Sequence, residues 1–299
     1  MQGFHEPVLL KAILERVEIE KGTTYIDCTL GDGGYSIEIL KRGGKVIGID
    51  VDPSALKRAR ERFGEEGIAP DQFELIQGNF SELDSLLKTE KPRKIEGILF
   101  DLGVSTLALK TPDRGFSFLA EGPLDMRMDP NLTVTAADLI NAGERQELNE
   151  LFSKYGEERL SFRFAKAIVS QREIKINEKG IGITTTKELA EILEKAAGKR
   201  GRIHPATRVF QALRIAVNDE LRVLETALPK ALNIVSGGGF IAVVSFHSLE
   251  DRIVKNNFKD YEKQGFGKNI TKKPVTPSEV EIQSNPASRS GRLRIFQKK

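Results

Sequence analysis

The sequence predicts an α/β fold, a doubly wound sheet interrupted by an all-helical insertion. Two observations predict it. Short apolar runs alternate with helical patterns through the first hundred residues, and the alternation stops at Asp101 and resumes near Arg208. Continuous apolar strands separated by helices build parallel sheets covered on both faces. The length of 299 residues suits one large domain with an insertion, or two domains.

The elements follow in order. Residues 24–29 (TYIDCT) form a short apolar run ending in a Gly-rich loop, and residues 36–41 read as the start of a helix. Residues 45–50 (KVIGID) are a second buried strand. Pro53 stands at a first helical position, where proline is tolerated, and residues 55–63 continue that helix. Residues 73–78 and 95–101 are two more strands. Residues 105–130 are rich in Pro, Gly and Asp and read mostly as loop. Helical spacing then fills 136–155, 157–172 and 186–197, the last opened by a Thr184–Thr186 run with Glu188, a capping pattern. Residues 208–232 read as one long helix with Phe210, Leu213, Val217, Leu221, Leu224 and Leu228 on one face. Gly237, Gly238 and Gly239 end it. A strand at 240–246, a helix at 249–258 and a short final strand at 293–296 complete the chain. The predicted division is a core of 1–110 with 205–299 and a mostly helical insertion of 111–204, read as the substrate-recognition domain.

Composition narrows the class. Charged residues make up 30 % and hydrophobic ones 39 %, which suits a soluble protein. The single cysteine, Cys28, excludes an internal disulfide and fits a reducing compartment. The N-terminus shows no signal-peptide pattern, and no apolar run nears membrane-spanning length, so no membrane partner and a cytoplasmic location are expected. The net charge of +3 hides an asymmetry. Residues 252–299 hold 12 Lys and Arg against 4 Asp and Glu, a balance of +8, and the rest of the chain balances at −5. A basic segment on an acidic body is a footprint for a polyanion, or else a solvated lysine-rich surface.

The segment Asp27-Cys28-Thr29-Leu30-Gly31-Asp32-Gly33-Gly34-Tyr35 follows the first strand and precedes a helix. Its glycines allow a sharp turn and close approach of a ligand. Asp50 ends the next strand, where a carboxylate accepts hydrogen bonds from both ribose hydroxyls of an adenosine. That geometry serves NAD and S-adenosylmethionine alike. The dinucleotide pattern G-x-G-x-x-G fails at Ser36, however. An acid four residues before Gly31 followed by G-x-G-G resembles the first motif of class I methyltransferases, whose core is a Rossmann-like sheet. Phe80, after the third strand, is placed to stack on adenine, and Asp101 ends the fourth strand at the ligand-binding edge. Phe80 as core and Asp101 as a loop cap are the plainer alternatives.

Longer blocks extend the resemblance. HEPVLL at 5–10, DLGVS at 101–105, DRGFSF at 113–118, GPLDMRMD at 122–129, HPATRVFQALRIAVNDEL at 204–221, SFHSLEDRIVK at 245–255 and NPASRSGRLR at 285–294 are similar, in order, to the RsmH (MraW) family. The resemblance implies a class I core with an all-helical insertion. It also implies transfer of a methyl group from S-adenosylmethionine to N4 of a cytidine in 16S ribosomal RNA near the decoding centre. The implied donor site is Gly33, Gly34, Tyr35, Asp50, Phe80 and Asp101. Two departures stand out: many relatives have His where Tyr35 is, and the family's donor-binding Gln falls on Ala108.

N4 of cytosine is a poor nucleophile, because its lone pair is delocalised into the ring. The enzyme's task is alignment, plus acceptors for positive charge growing on N4. DNA amino-methylases use an Asn/Asp/Ser-Pro-Pro-Tyr motif at the fourth strand end, and residues 101–105 lack its prolines and aromatic. Asp101, or a neighbouring carbonyl, is therefore the expected acceptor, with Ser105 beside it in the motif. Phe116, Phe118, Phe246 and His247 are candidates to stack on a splayed base, each Phe equally a candidate for core. Arg208, Arg252, Arg289, Arg292 and Arg294 read as phosphate contacts. Arg114 and His204, in the matched blocks, complete the expected RNA-binding set. Three histidines and one cysteine without ligand spacing give no reason to expect a metal. The competing readings are a methyltransferase acting on a small molecule or protein, a non-catalytic RNA-binding or assembly factor, and a dehydrogenase. The oligomeric state, a homodimer included, stays open.

Overall fold

Strands form where apolar residues run without a break, and helices where they recur every three or four positions. The structure, a computed structural model, describes residues 7–88, 93–198, 201 and 203–299. It divides into two compact units, Met1–Gly103 with Leu221–Lys299, and Val104–Glu220. His5 and Glu6 of the first matched block lie outside the described residues.

The first unit begins with α1 (Leu10–Leu14) and β1 (Thr24–Asp27), then α2 (Gly34–Lys41), β2 (Lys45–Asp50), α3 (Pro53–Glu65), β3 (Phe73–Gln77), α4 (Leu83–Leu86) and β4 (Ile95–Asp101). Asp52 caps α3 by accepting from the Ser54 N–H, and Pro53 takes the first helical position. The second unit carries α5 (Thr106–Lys110), α6 (Ala136–Ala142), α7 (Arg145–Gly156), α8 (Ser161–Lys179), α9 (Thr186–Ala197) and α10 (Ala206–Asn218). The chain returns to the first unit through α11 (Glu220–Ile234), β5 (Phe240–Ser245), α12 (Ser248–Lys263), β6 (Gly267–Asn269), α13 (Glu279–Ser284) and β7 (Arg292–Lys298).

The seven strands lie in the order β3-β2-β1-β4-β5-β7-β6. The first five are parallel, and β7 runs antiparallel to both β5 and β6. All six residues of β5 are buried. Fully burying a Val or Ile is worth roughly 1.5–3 kcal/mol, so this strand anchors the sheet. One apolar layer joins Ile26, Ile98, Phe100 and Ile241 to α11 and α12, and the other joins Tyr25, Val46, Leu99 and Val244 to α2 and α3. Both faces are thus covered.

The helical unit has its own core, built from Ile140, Phe152, Phe164, Leu189, Leu193, Phe210 and Leu213. Helices α7 and α10 pack backbone to backbone. A Cβ at Gly156 would come within 2.6 Å of the Arg208 carbonyl oxygen. The Thr185 hydroxyl and Glu188 close a capping box at the start of α9, as the Thr run predicts.

Four expectations need correction. Residues 208–232 are two helices, because Asp219 takes a left-handed conformation at φ 50° and ends α10. Residues 136–155 are also two, parted at Gly143, which is extended. The loop at 105–130 includes α5. The compact helical unit spans Val104–Glu220, beginning earlier than 111 and ending later than 204, and α10 contributes Val209, Phe210 and Leu213 to its core.

Candidate functional site

The glycine loop follows β1 because the chain must reverse there within a few residues. Gly31 and Gly33 both have positive φ, 52° and 74°. A Cβ at Gly33 would sit 2.5 Å from the Phe63 ring, so the position admits only glycine. Beyond it, Ser36 in the first turn of α2 is fully buried and donates to Asp27 Oδ2 at 2.7 Å. The residue that breaks the dinucleotide pattern thus serves the motif acid.

Four carboxylates gather at the carboxyl edge of the sheet. Asp27 ends β1, Asp50 ends β2, Asp101 ends β4, and Glu250 lies in the first turn of α12 after β5. Asp50 Oδ2 accepts from the Gly31 N–H and Oδ1 from the Asp52 N–H, both at 2.9 Å. A carboxylate has about four lone-pair sites, so two remain for a ligand's hydroxyls. Burial raises the Asp50 proton affinity, and the two backbone N–H groups and Arg58 oppose it. Burial likewise pushes Asp27 up to about 6, against the Ser36 hydroxyl bond. Asp101 is pushed well above the usual carboxylate range, by burial first and then by the charge of Asp27. The Tyr35 phenol opposes that shift, and Glu250 adds to it.

Asp101 is the distinctive member. Its backbone N–H donates to Thr29 Oγ1 at 2.6 Å, which fixes the end of β4 against the loop. Its Oδ1 is sealed from solvent and has no hydrogen-bond partner among the described residues. A buried acceptor without a donor is costly, by roughly 1–3 kcal/mol, unless a ligand completes it. S-Adenosylmethionine carries an ammonium and a sulfonium, and this donor-poor, acid-rich edge fits that chemistry. Phe80 is partly exposed and meets Phe100 edge to face, centroids 5.4 Å apart.

Tyr35 is the second residue of α2, directly after the glycine loop. Only 6 % exposed, it donates its phenol hydrogen to the Val8 carbonyl at 2.5 Å. His247 caps α12, its Nδ1 accepting from the Glu250 N–H at 3.4 Å and its Nε2 3.1 Å from Glu250 Oε1. Glu250 Oε2 in turn accepts from the Phe246 and His247 N–H groups. The imidazole is thereby oriented and mostly buried. Glu250 escaped the sequence reading, although its spacing three after His247 is that of a capping box.

Toward the C-terminus, Arg289 is exposed, and Arg292 is half-exposed with a 3.4 Å bond to Asp251. Arg294 is not a phosphate contact. It is 7 % exposed and forms a bidentate pair with Asp251, at 2.6 and 3.2 Å. On β7 it stands in a run of four buried residues, 293–296, which a charge count does not register.

In the helical unit, three matched blocks build one loop. Arg114 donates to the Arg127 and Met128 carbonyls. Asn218 receives the Met128 N–H and donates to the Met126 carbonyl. Together they hold Met126 at φ 64°. Phe116 is buried in the core of this unit, which removes it as a stacking face here. His204 stacks on Phe118 at 4.4 Å, bonds Glu194 at 2.7 Å and accepts the Ala206 N–H. Arg208 donates to the Glu157 carbonyl. Ser105 caps α5 by accepting from the Ala108 N–H at 3.2 Å. Ala108 packs against the helical core.

A doubly wound sheet with an antiparallel β7 beside β5, a glycine loop after β1 and acids at successive strand ends define a class I S-adenosylmethionine-dependent methyltransferase. The model of the MraW methylase family matches residues 2–299, and the chain belongs to that family. A protein of Sulfurihydrogenibium sp. (strain YO3AOP1) described as ribosomal RNA small subunit methyltransferase H is 47 % identical over 296 residues, covering 97 % of this chain and 98 % of its own. Proteins of the same description from Coprothermobacter proteolyticus and Sulfurihydrogenibium azorense are 43 % and 47 % identical. They cover 98 % and 97 % of this chain, and 96 % and 98 % of their own.

Proposed function

We propose that this enzyme transfers a methyl group from S-adenosylmethionine to the N4 amine of a cytidine in 16S ribosomal RNA near the decoding centre. The observation that carries the chemistry is the sealed, unpartnered Asp101 Oδ1 at the end of the central strand. When bound, the donor supplies an activated methyl group on a cationic sulfur. The glycine loop, with Gly33 and Gly34, lets the ligand approach the backbone. Asp50 accepts from ribose hydroxyls through its two free lone-pair sites, and Phe80 lies against adenine. Asp101, in its ionised form, accepts a hydrogen bond from the amine as positive charge grows on N4 and takes the proton that N4 sheds once the methyl group has moved, an interaction made only on the way to and beyond the transition state. The exposed Arg289 and Arg292 and the lysines of α12 meet phosphates. The helical unit, with the loop held by Arg114 and Asn218 and with His204 and Arg208, serves as the RNA-recognition domain.

No described helix is long and apolar enough to cross a membrane. In this reading the enzyme works in the cytoplasm, on RNA or the assembled small subunit, as a monomer or a homodimer.

Single-turnover transfer at saturating donor tests the role of Asp101. Asp101→Asn keeps the shape and removes the carboxyl that can ionise and take a proton. The rate should fall at least about tenfold, a barrier increase of roughly 1.4 kcal/mol or more, with RNA affinity unchanged. A variant as fast as the parent would pass the role to a backbone carbonyl.

A further inference from the structure

We propose that the exposed face of α8 is a single-strand RNA-binding surface on which Phe162 stacks an unpaired base of the substrate strand. The proposal rests on the reading of ribosomal RNA as the substrate, and it names the part of the helical unit that holds the strand.

Charge in the helical unit is segregated. Residues 104–220 hold 18 Lys and Arg against 17 Asp and Glu. Nine of those cations fall in two stretches with no acid at all, 159–172 and 195–208, which leaves nine against 17 elsewhere. The two stretches meet within the unit. Arg208 Nη1 donates to the Glu157 carbonyl at 3.1 Å, and a Cβ at Gly198 would lie 3.8 Å from Arg163 Nη2. Arg159, Arg163, Lys166 and Lys195 are all exposed. Lys199, Arg200 and Arg202 lie outside the described residues, and the surface is built without them. Neighbouring acids are engaged within the fold. Glu144 and Glu147 close the cap of α7, Glu158 accepts from the Leu160 N–H, and Glu194 pairs with His204.

An aromatic ring stands among these cations. Phe162 is 54 % exposed, whereas Phe164 on the same helix is buried in the core. Arg145 Cζ lies 5.3 Å from the Phe162 ring centroid, so a guanidinium rests on the ring without burying it. Phe162, Arg163 and Lys166 recur at three- and four-residue spacing and share one side of α8. A single exposed phenylalanine needs no explanation. One set among cations in an acid-free stretch has the composition of a stacking platform, where bases lie on the ring and phosphates meet Lys and Arg. RNA supplies both complements, flat apolar rings and regular negative charge.

The chain has no tryptophan, so Phe162→Trp places a single indole on this face. The probe is a uridine oligomer of about ten nucleotides, within the site sizes of single-strand binders and free of any methyl-accepting cytidine. Adding it to the full chain should quench the indole emission. By anisotropy, Phe162→Ala should bind the oligomer about fivefold or more weakly, with the salt slope unchanged. Arg163→Ala with Lys166→Ala should lower that slope by up to about 1.4 units, at about 0.7 per phosphate contact on a single strand. An indole that ignores the oligomer, or Phe162→Ala binding as tightly as the parent, would hand the face to a protein partner and overturn the proposal. The reaction is judged separately. A deletion strain that keeps its N4-methylated cytidine sinks the substrate reading, while the quenching still decides whether α8 binds RNA.

Discussion

Asp27 is sealed in the sheet with a serine hydroxyl and a backbone N–H for partners, and among the described residues no cation pairs with it. Burial pushes its carboxyl up to about 6, above the ordinary aspartate value of about 3.9. The folded protein therefore holds this proton more tightly than the unfolded chain does. The stabilisation is fully present below about pH 4 and is lost as pH rises through about 6. Two units correspond to about 3 kcal/mol. Unfolding free energies of the parent and Asp27→Asn should therefore diverge by about that amount between pH 4 and 7, the parent losing stability relative to the variant. A difference independent of pH would show that Asp27 is not titrating there. The spacing to the glycine loop marked this acid in the sequence, as it marked Asp50, while Asp101 was marked by its place at the end of the fourth strand. Nothing in the spacing disclosed that Tyr35 would spend its hydrogen on Val8, because that contact joins residues 27 positions apart.

Strands β1 to β5 and helices α3 and α9 were legible because their apolar spacing and caps agree with the packing that buries them. The end of α10 was not, because Asn218 and Asp219 interrupt neither the apolar spacing nor the helix with a glycine or proline. Strand β6 was missed for a different reason. Gly-Lys-Asn has no strand propensity and is extended only through pairing with β7. Strand β7 also carries the misread arginine. Removing one member of a buried pair leaves an uncompensated charge, which costs about 3–5 kcal/mol. Arg294→Ala should lower the denaturation free energy by that much. Arg289→Ala should change it by less than about 0.5 kcal/mol, as an exposed position does. Equal, small losses would mean that the Asp251 pair does not hold β7.

Over the whole molecule, the +8 balance of residues 252–299 survives the loss of Arg294 as a ligand contact. Lys255, Lys259, Lys263, Lys268, Lys272 and Lys273 are exposed, as is Arg289. Each phosphate neutralised releases condensed counterion, so RNA binding should weaken steeply with salt. Arg289→Ala with Arg292→Ala should weaken target and non-target RNA alike. The salt slope should fall by up to about two units, one per lost contact, as filter binding across a salt series would show. An unchanged slope would remove both arginines from the RNA path.

The central claim is that a cytidine amine of small-subunit RNA receives the methyl group. Mass mapping of ribosomal RNA nucleosides from cells with and without the gene tests it most directly. N4-methylated cytidine should be present at one 16S position in the parent and absent from the deletion strain. It should return with the intact gene and stay absent with the gene encoding Asp101→Asn. A deletion strain whose 16S RNA keeps its full complement of N4-methylated cytidine would contradict the account.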